Sequence, residues 1–371
     1  MPETYKIADT SEIFSPALVI FTEVLNANIA EMVRVAGDPN RLRPHCKTHK
    51  MPEVVKRELA AGITKHKAAT FAEAEMLADA GVKDIFLAYN MVGPNIGRAV
   101  AFRRQFPDVK FAVTADDPRM LSQLSEAMNS AGTDIDVLLD CDTGLHRTGQ
   151  KLVAEAEALY QQIADLPGVN PGGLHVYDGH HHQVDFEERK TAVLADFQAA
   201  LDFRDRLVAR GLNVPKIVAG GTGSFPVYAG VDDAAVELSP GTCVLHDCSY
   251  GILFPDLDFQ PAALMLTRVI SRPTPNRLTL DLGNKSIAAD PPMGTRVVFP
   301  DLPDAEQKLH NEEHLVLETP LAENYRPGDE ILGIPRHICP TSALHRQAYV
   351  VESGQLIGRW DVTARDRQIT I

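Results

Sequence analysis

Short apolar runs alternate with amphipathic segments from about residue 41 to residue 242 of the 371-residue chain. The apolar runs predict eight strands, at residues 41–48, 66–70, 84–89, 110–115, 134–142, 172–179, 216–221 and 234–241. The segments between them have helical spacing, and several begin near Asp, Asn or Pro and end at Gly. This alternation is typical of βα units, and eight strands favour a closed (β/α)8 TIM-like barrel over an open sheet.

The pattern changes after Tyr250, where β-rich runs follow one another without long helical intervals. Frequent Pro and Gly mark turns between these runs. Because one α/β barrel takes about 250 residues, we predict two domains. Residues 1–250 form the barrel together with an amino-terminal lead-in segment, and residues 251–371 form a mostly β domain.

Composition and charge limit the classes of molecule that this protein is expected to bind. The chain has 36 Lys and Arg against 50 Asp and Glu, a formal net charge of -14 that repels nucleic acid and anionic lipid. We therefore expect no nucleic acid and no membrane partner. No apolar stretch reaches the roughly 18 residues of a spanning helix, and the start of the chain lacks a signal-peptide pattern. Five dispersed cysteines do not suggest disulfides, so we expect a cytoplasmic protein.

The run RLRPHCKT at residues 41–48 carries the first candidate chemistry. Side chains alternate across a strand, so the pattern places four basic residues on one face: Arg43, His45, Lys47 and His49. Four basic groups are poor core material, and we predict that this face lines the barrel interior near the carboxyl ends of the strands. A lysine desolvated beside other cations has a lowered pKa and a reactive amine. The alternative is an edge strand with solvated lysines.

Two further segments follow predicted strands. GGTGSF at residues 220–225 has three glycines within four residues, which lets backbone N–H groups approach an anion, and barrels often bind phosphate after their seventh and eighth strands. DTGLHRTG at residues 142–149 supplies Arg147, a permanent cation able to hold a phenolate or carboxylate oxygen. The alternatives are an ordinary glycine turn and a surface-loop arginine.

Histidines mark two more segments. HVYDGHHH at residues 175–182 places His180 just beyond the sixth predicted strand, although three adjacent histidines can also form only a polar loop. PRHICPT at residues 335–341 sets His337 and Cys339 two residues apart, hence on one face if the run is extended. Imidazole and thiolate suit zinc, and two protein ligands leave room for water or substrate. The alternative is a chance pairing.

Taken together, these segments resemble one family. RPHCKTHK, DTGLHRTG, HVYDGH, GGTGSFP and GDEILGIPRHICPT stand in the order found in the D-threonine aldolase and D-serine dehydratase-like family, along nearly the whole chain. The resemblance implies an alanine-racemase-like, fold type III barrel that binds pyridoxal 5'-phosphate (PLP), followed by a β domain. It also implies D-3-hydroxy amino acid substrates, a divalent metal (zinc, manganese or magnesium) and a homodimer.

The resemblance assigns roles position by position. Lys47, rather than Lys50, matches the lysine that carries PLP. Arg147 matches the arginine that holds the PLP ring oxygen, and Tyr177 would lie near the ring. The positions that match the phosphate cradle are Thr222, Gly223, Gly241 and Thr242. The positions that match the metal pair are His337 and Cys339.

The family contains two chemistries. Retro-aldol cleavage needs a base for the β-hydroxyl proton, whereas β-elimination removes the Cα proton and expels hydroxide. YDGH resembles the aldolase branch, in which the histidine acts on the hydroxyl, and H-x-C resembles the dehydratase branch. We predict an aldolase that forms glycine and an aldehyde, with His180 as the base. The alternatives are a D-serine or D-3-hydroxyaspartate dehydratase and a non-catalytic PLP carrier, which would lack the residues after Tyr250.

Overall fold

The computed structural model describes residues 2–371. The chain divides into two compact units whose segments interleave along the sequence. The barrel unit contains Val33–Lys47, Val54–Gly241 and Asp366–Ile371. The β unit contains residues 2–32, Thr48–Glu53 and Thr242–Arg365. Among the described residues, none of the helices has the length and apolar character needed to span a bilayer.

Strands and helices are numbered in chain order. The strands are β1 (Ala17–Phe21), β2 (Lys65–Ala68), β3 (Asp84–Asn90), β4 (Lys110–Ala115), β5 (Ile135–Cys141), β6 (Val169–Val176), β7 (Ile217–Ala219), β8 (Val236–Leu238), β9 (Ala263–Thr274), β10 (Arg277–Leu280), β11 (Val297–Val298), β12 (Glu306–His310), β13 (Leu315–Glu318), β14 (Glu330–Pro335), β15 (Gln347–Glu352) and β16 (Gln355–Asp361). The α-helices are α1 (Thr22–Ala36), α2 (Pro52–Ala60), α3 (Phe71–Asp79), α4 (Pro94–Gln105), α5 (Pro118–Ser130), α6 (Ala154–Asp165), α7 (Phe186–Ala209), α8 (Phe225–Ala229), α9 (Cys248–Leu253) and α10 (Ile338–Leu344).

The barrel unit contains a parallel sheet in the order β2-β3-β4-β5-β6-β7-β8. Helices alternate with these strands along the chain, as the hydrophobic pattern predicts. The predicted fold class, an α/β barrel followed by a mostly β region, is confirmed. β6 begins at Val169, ahead of the predicted residue 172. The sequence did not indicate this start because the run Asn-Pro-Gly-Gly lacks the residues that favour strands. The run is nevertheless part of the strand because it pairs with β5 across a register shift.

The predicted first strand at residues 41–48 is wrong as a regular strand. Leu42 forms a parallel bridge to Leu238 of β8, and His45 forms one to Lys67 of β2, so this segment lies between the two edges of the sheet. Pro44 has no N–H group to donate, and its carbonyl oxygen accepts from the Lys67 N–H at 2.8 Å. The chain then turns into a 3-10 helix, Cys46–Thr48, so the predicted alternation ends before Lys47.

Charged residues fill the barrel interior at the amino ends of the strands. Arg43 is 1% exposed, and its guanidinium donates to Glu237 at 2.5 Å and to Asp84 at 2.8 Å. Lys65 donates to the other Glu237 oxygen at 2.7 Å. The expectation that Arg43 cannot be core material is therefore wrong, because paired carboxylates allow a guanidinium to be buried.

An apolar layer lies next to these charges inside the barrel. Phe86, Ala112, Leu138 and Val218 form a buried cluster contributed by β3, β4, β5 and β7. Alternate residues of the strands face the same interior, as expected for layered side chains in a barrel. The layer closes the barrel centre and leaves the carboxyl ends of the strands for chemistry.

The β unit contains a sheet in the order β12-β13-β10-β9-β1-β15-β16, with β14 paired to β9 and β11. β1 pairs antiparallel with β9 and parallel with β15, and all five of its residues are buried. The lead-in segment thus belongs to this sheet and not to the barrel, where the sequence placed it. Its apolar run, ALVIF, suits a central strand covered on both faces.

The domain boundary at residue 250 stays a prediction.

Candidate active site

A cavity of about 400 Å³ lies at the carboxyl ends of the barrel strands. Its lining includes three cationic side chains, four aromatic rings and the Asp140 carboxylate. The cations are Lys47, Lys67 and Arg147, and the rings are those of His45, Tyr89, His175 and Tyr177. This is the end of the barrel at which α/β barrel enzymes bind substrates.

Tyr177 lies at the centre of the three cations. The Arg147 guanidinium carbon is 4.5 Å from the ring centroid, and the amines of Lys47 and Lys67 are each 5.9 Å from it. The ring also packs against backbone, since a Cβ at Gly179 would lie 2.4 Å from the Tyr177 hydroxyl. A glycine at position 179 is therefore required for this position of the Tyr177 ring. The three cations lie around this one aromatic ring.

Lys47 lies on the 3-10 helix that follows residues 42–45, the segment between β8 and β2. Its backbone N–H donates to His45 Nδ1 at 3.3 Å, which fixes the start of this turn. Lys50, the nearby competitor, has a left-handed backbone with φ of 56° and donates its amine to the Ala364 carbonyl at 3.4 Å. Lys47 lines the cavity and Lys50 does not.

Lys67 is a cavity residue that the sequence analysis did not single out. It lies on β2 and is 3% exposed. Burial and the charge of Lys47 lower the pKa of Lys67 to about 7, and the carboxylate of Asp178 opposes the shift only in part. Only its place in the alternating run KHKA on a barrel strand could have indicated an inward-facing lysine.

Asp140 and His175 form a buried pair on neighbouring strands. His175 Nδ1 lies 2.8 Å from Asp140 Oδ1, and the ring meets Phe86 edge-on at 5.2 Å. Burial lowers the pKa of His175 although the hydrogen bond to Asp140 acts in the opposite direction. His175 Nε2 is buried without a hydrogen-bond partner in the part of the chain that the structure describes. The pairing holds a neutral imidazole whose Nδ1–H donates to Asp140.

The glycine-rich turn after β7 is tied to neighbouring segments by hydroxyl groups. Gly220 has φ of 77°, a backbone conformation that favours glycine. Thr222 Oγ1 accepts from the Gly241 N–H at 3.2 Å, which joins two of the predicted cradle residues. Ser224 Oγ accepts from the Gly221 N–H and donates to buried Asp178 at 2.7 Å. The turn therefore has a fixed shape in which Gly223 stands beside Thr222.

The predicted metal pair lies in the β unit, at the start of α10. His337 is the N-cap residue of α10 and Cys339 lies in its first turn, so the run is not extended as the spacing argument assumed. The two side chains still lie close enough to interact electrostatically. His337 Nδ1 lies 2.5 Å from Asp290 Oδ2. Burial opposes protonation, but Cys339 and Asp290 outweigh it and raise the pKa of His337 to about 9.

Cys339 also contacts hydroxyl groups of the β unit. Its Sγ is 3.2 Å from Thr48 Oγ1 and 3.7 Å from Thr242 Oγ1, and both threonines are buried. Thr242 is one of the residues predicted for the phosphate cradle, and it lies in the β unit, whereas Gly241 belongs to the barrel unit. The thiol thus lies among polar groups. This setting is more typical of a metal-binding cysteine than of a cysteine in an apolar core.

His180 lies beyond β6, outside the residues that line the cavity. Its Nε2 is 3.1 Å from Asp196 Oδ2, and the same oxygen is 3.0 Å from His181 Nε2. The two imidazole rings have centroids 4.2 Å apart and are tilted by 37° to each other, and His182 is exposed. His180, His181 and Asp196 could hold a metal ion, as could His45, Cys46 and Glu73; within residues 2–371 no such group of three contains His337 or Cys339.

Comparisons with known proteins place this geometry in a family. Residues 20–245 match the alanine racemase N-terminal domain, and residues 262–351 match the putative serine dehydratase domain. This chain belongs to the D-threonine aldolase and D-serine dehydratase-like family. Its members are PLP enzymes of fold type III.

Relatives within this family match along nearly the full chain. The chain is 35% identical over 359 residues to D-threonine aldolase from Arthrobacter sp., covering 95% of this chain and 92% of that protein. It is 27% identical to 3-hydroxy-D-aspartate aldolase from Paracoccus denitrificans (strain Pd 1222), with coverages of 97% and 94%. The crystal structure of D-threonine aldolase from Filomicrobium marinum superimposes with a TM-score of 0.87 at 30% identity, covering 95% of this chain and 96% of that one.

Proposed function

We propose that this protein cleaves D-3-hydroxy amino acids of the D-threonine type to glycine and an aldehyde. The observation that carries the proposal is the similarity to D-threonine aldolase at 35% identity over 95% of the chain. In this reaction the β-hydroxyl loses its proton, the Cα–Cβ bond breaks to leave the aldehyde, and a proton added at Cα completes glycine. The protein must therefore hold an amino acid and move a proton at each end of one bond.

The cavity residues suit PLP. Its anionic oxygens match the three cations, and a cavity of about 400 Å³ lies within the common range for small-molecule sites. We propose that Lys47 carries the cofactor, that Arg147 holds its ring oxygen and that Tyr177 lies beside its ring. The residues proposed to hold the phosphate are Thr222, Gly223, Gly241 and Thr242. PLP supplies an electron-withdrawing ring that takes up the electron pair of the broken bond.

His180 is the proposed base for the β-hydroxyl proton. A neutral imidazole has a basicity matched to neutral pH, and Asp196 at 3.1 Å would orient the ring and stabilise its protonated form. His181 shares the same carboxylate and is the competing candidate. Since Asp196 lies on the long helix α7, the pair is supported by a rigid element.

We also propose that a divalent metal, zinc, manganese or magnesium, binds at His337 and Cys339. Asp290 at 2.5 Å from His337 Nδ1 provides the carboxylate that commonly orients a ligating imidazole. His337 Nε2 and Cys339 Sγ are the available donors. A site with two protein ligands leaves positions for water or substrate, and the metal supplies a Lewis acid for oxygen.

Product analysis tests the proposed reaction. Wild-type holoenzyme is incubated with D-threonine, D-serine and D-3-hydroxyaspartate, with and without chelator. Acetaldehyde and glycine from D-threonine are expected, because Cα–Cβ cleavage divides the substrate there. Formation of 2-oxobutanoate and ammonia instead would identify a dehydratase, and bound PLP without turnover of any substrate would identify a carrier.

The assembly and location are further proposals. We propose a cytoplasmic homodimer that binds neither nucleic acid nor membranes. The net charge of -14 supports the absence of polyanionic partners. None of the five cysteines forms a disulfide within residues 2–371, which suits a reducing compartment. Light scattering of the purified holoenzyme at two ionic strengths measures the assembly, and a monomer at both would contradict the dimer.

A further inference from the structure

Lys67 is the most deeply buried of the three cavity cations. Its side chain is 3% exposed and lines the cavity, and its backbone N–H is used by the Pro44 carbonyl. No side-chain oxygen in residues 2–371 accepts a hydrogen bond from its amine; the amine instead lies 5.9 Å from the Tyr177 ring centroid. A buried amine costs free energy unless it is paired. Lys67 is thus positioned for a partner that enters the cavity.

The carboxylates near Lys67 already accept hydrogen bonds from other residues, so a partner for its amine would be a ligand. Asp178 is the acidic neighbour with the largest effect on Lys67, yet its two oxygens accept from Ser224 at 2.7 Å and from Tyr228 at 2.9 Å. Asp140 is engaged by His175 at 2.8 Å. The carboxylates of the cavity therefore already have donors, and an anionic ligand would be the first acceptor for the Lys67 amine.

The proposed function uses two of the three cavity cations for the cofactor. Lys47 carries PLP and Arg147 holds its ring oxygen, whereas the α-carboxylate of an amino acid still needs a cation. The low pKa of Lys67, about 7, follows from burial and from the positive charges of Lys47 and Arg147. An anion in contact with the amine offsets that repulsion and favours the ammonium form.

We propose that Lys67 binds the α-carboxylate of the amino-acid substrate and of the glycine product. The proposal rests on the proposed function, because it takes an amino acid as the ligand of this cavity. It makes Lys67 a substrate-binding residue separate from Lys47. The same amine could instead meet an anionic oxygen of the cofactor, and the experiment separates the two sources.

The test compares an acid with its amide. Wild type, Lys67→Met and Lys67→Gln holoenzymes are assayed with D-threonine and with D-threonine amide, which lacks the carboxylate charge. Loss of a charge-assisted hydrogen bond should lower kcat/KM for D-threonine roughly 10- to 100-fold, mainly through KM. The value for the amide should change little. Titration calorimetry with glycine and glycinamide gives the same comparison without turnover, with weaker binding expected for glycine alone.

Controls separate this role from the cofactor and from the fold. The dissociation constant of PLP should stay within about twofold in both variants, and Lys110→Met, which removes an exposed lysine from β4, should alter none of these values. Equal losses for acid and amide, or weaker PLP binding with an unchanged acid-to-amide ratio, would overturn the proposal. The products of wild type report on the reaction independently, so a different reaction would not be mistaken for a failure of Lys67.

Discussion

Arg43 and Lys67 face the interior of the same barrel and are 1% and 3% exposed, but their partners differ. Carboxylates of Glu237 and Asp84 outweigh burial and raise the pKa of Arg43 above its ordinary value. Within residues 2–371 no carboxylate accepts a hydrogen bond from the Lys67 amine, and burial with neighbouring cations lowers the pKa of Lys67 to about 7. At the scale of single residues, pairing rather than depth decides which charge is structural and which can meet a ligand.

The His180 pair gives a prediction at this scale. His180→Ala should lower kcat for D-threonine cleavage about 10²–10⁴-fold, the usual contribution of a positioned base, while PLP stays bound. Asp196→Asn should lower kcat less, because the base remains but loses its carboxylate. Steady-state kinetics and cofactor absorbance measure both effects.

His182→Ala is the matched control for that measurement. His182 is adjacent in sequence and exposed, and no role is proposed for it. An equal loss in His182→Ala would show that any change in the loop impairs activity. A larger loss in His181→Ala than in His180→Ala would transfer the role of base to His181, which shares the Asp196 oxygen.

At the scale of elements, the segment between α1 and α2 joins the barrel edges and presents Lys47. Residues 42–45 bond to β8 and β2, and the backbone then tightens into a 3-10 turn. Because Pro44 interrupts the donor pattern, the segment cannot continue as a regular strand. Lys47 is therefore placed by a turn at the carboxyl ends of the strands and not by strand alternation.

The position of Lys47 leads to a labelling prediction. Borohydride reduction of the holoenzyme followed by peptide mapping should place the pyridoxyl group on Lys47, since Lys50 is directed to the Ala364 carbonyl. Lys47→Ala should yield no label there and should lose activity. Label on Lys67 in the wild type, or full turnover by Lys47→Ala, would show that the second cavity lysine carries the cofactor.

The buried ion network of the barrel predicts a pH dependence of stability. Burial opposes ionisation, but Arg43 and Lys65 outweigh it and lower the pKa of Glu237 to about 2, from an ordinary value of 4.5. Its stabilising contribution should be complete above about pH 4.5 and should decrease as the pH falls towards 2. Urea unfolding of the wild type from pH 7 to pH 3 measures this decrease.

Glu237→Gln is the variant for that experiment. Removing one charge of a buried network typically costs about 3–5 kcal/mol, because Arg43 is left without its strongest partner. The variant should be less stable at pH 7 and should lose less stability between pH 5 and pH 3. Glu313→Gln, at an exposed carboxylate that contacts Lys285, serves as the control. Parallel pH profiles for wild type and Glu237→Gln would refute the assignment.

At the scale of the whole molecule, chain order and compact units do not coincide. β1 joins the sheet of β9 and β15, although about 240 residues of sequence separate it from β9 and about 325 from β15. The last residues return to the barrel unit, where Arg98 donates to the Ile371 carbonyl at 2.9 Å and buried Glu75 accepts from the Thr370 N–H at 3.0 Å. Long-range pairing thus holds both β1 and the last residues of the chain in place.

The metal pair proposed at His337 and Cys339 and the group of His180, His181 and Asp196 lie in different units, which allows a direct test. Cys339→Ala should abolish bound metal and activity while PLP absorbance remains, because the thiolate is one of only two proposed ligands. Asp196→Asn should retain the metal. Elemental analysis measures the metal content of both variants. Metal retained in Cys339→Ala but absent from Asp196→Asn would place the site at His180 and His181.

Local patterns in the sequence determined much of the architecture. Strand β4 begins and ends at the predicted residues 110 and 115, because alternating apolar and β-branched residues next to helical segments need no distant information. The motifs also indicated Lys47, Arg147 and Tyr177 as cavity residues, since parallel strands bring their carboxyl ends to one edge. Family membership follows from such motifs in order along the chain.

Only the tertiary structure decided which groups are paired. The sequence treats Arg43, Lys67 and Lys47 alike as basic residues near strands. In the structure Glu237 pairs with Arg43, whereas the Lys67 amine has no side-chain acceptor among the described residues. It cannot assign β1 to the second sheet, because an apolar run has no preference for one sheet until distant partners are present. Charge pairing and strand pairing depend on long-range distances, and those distances exist only in the folded chain.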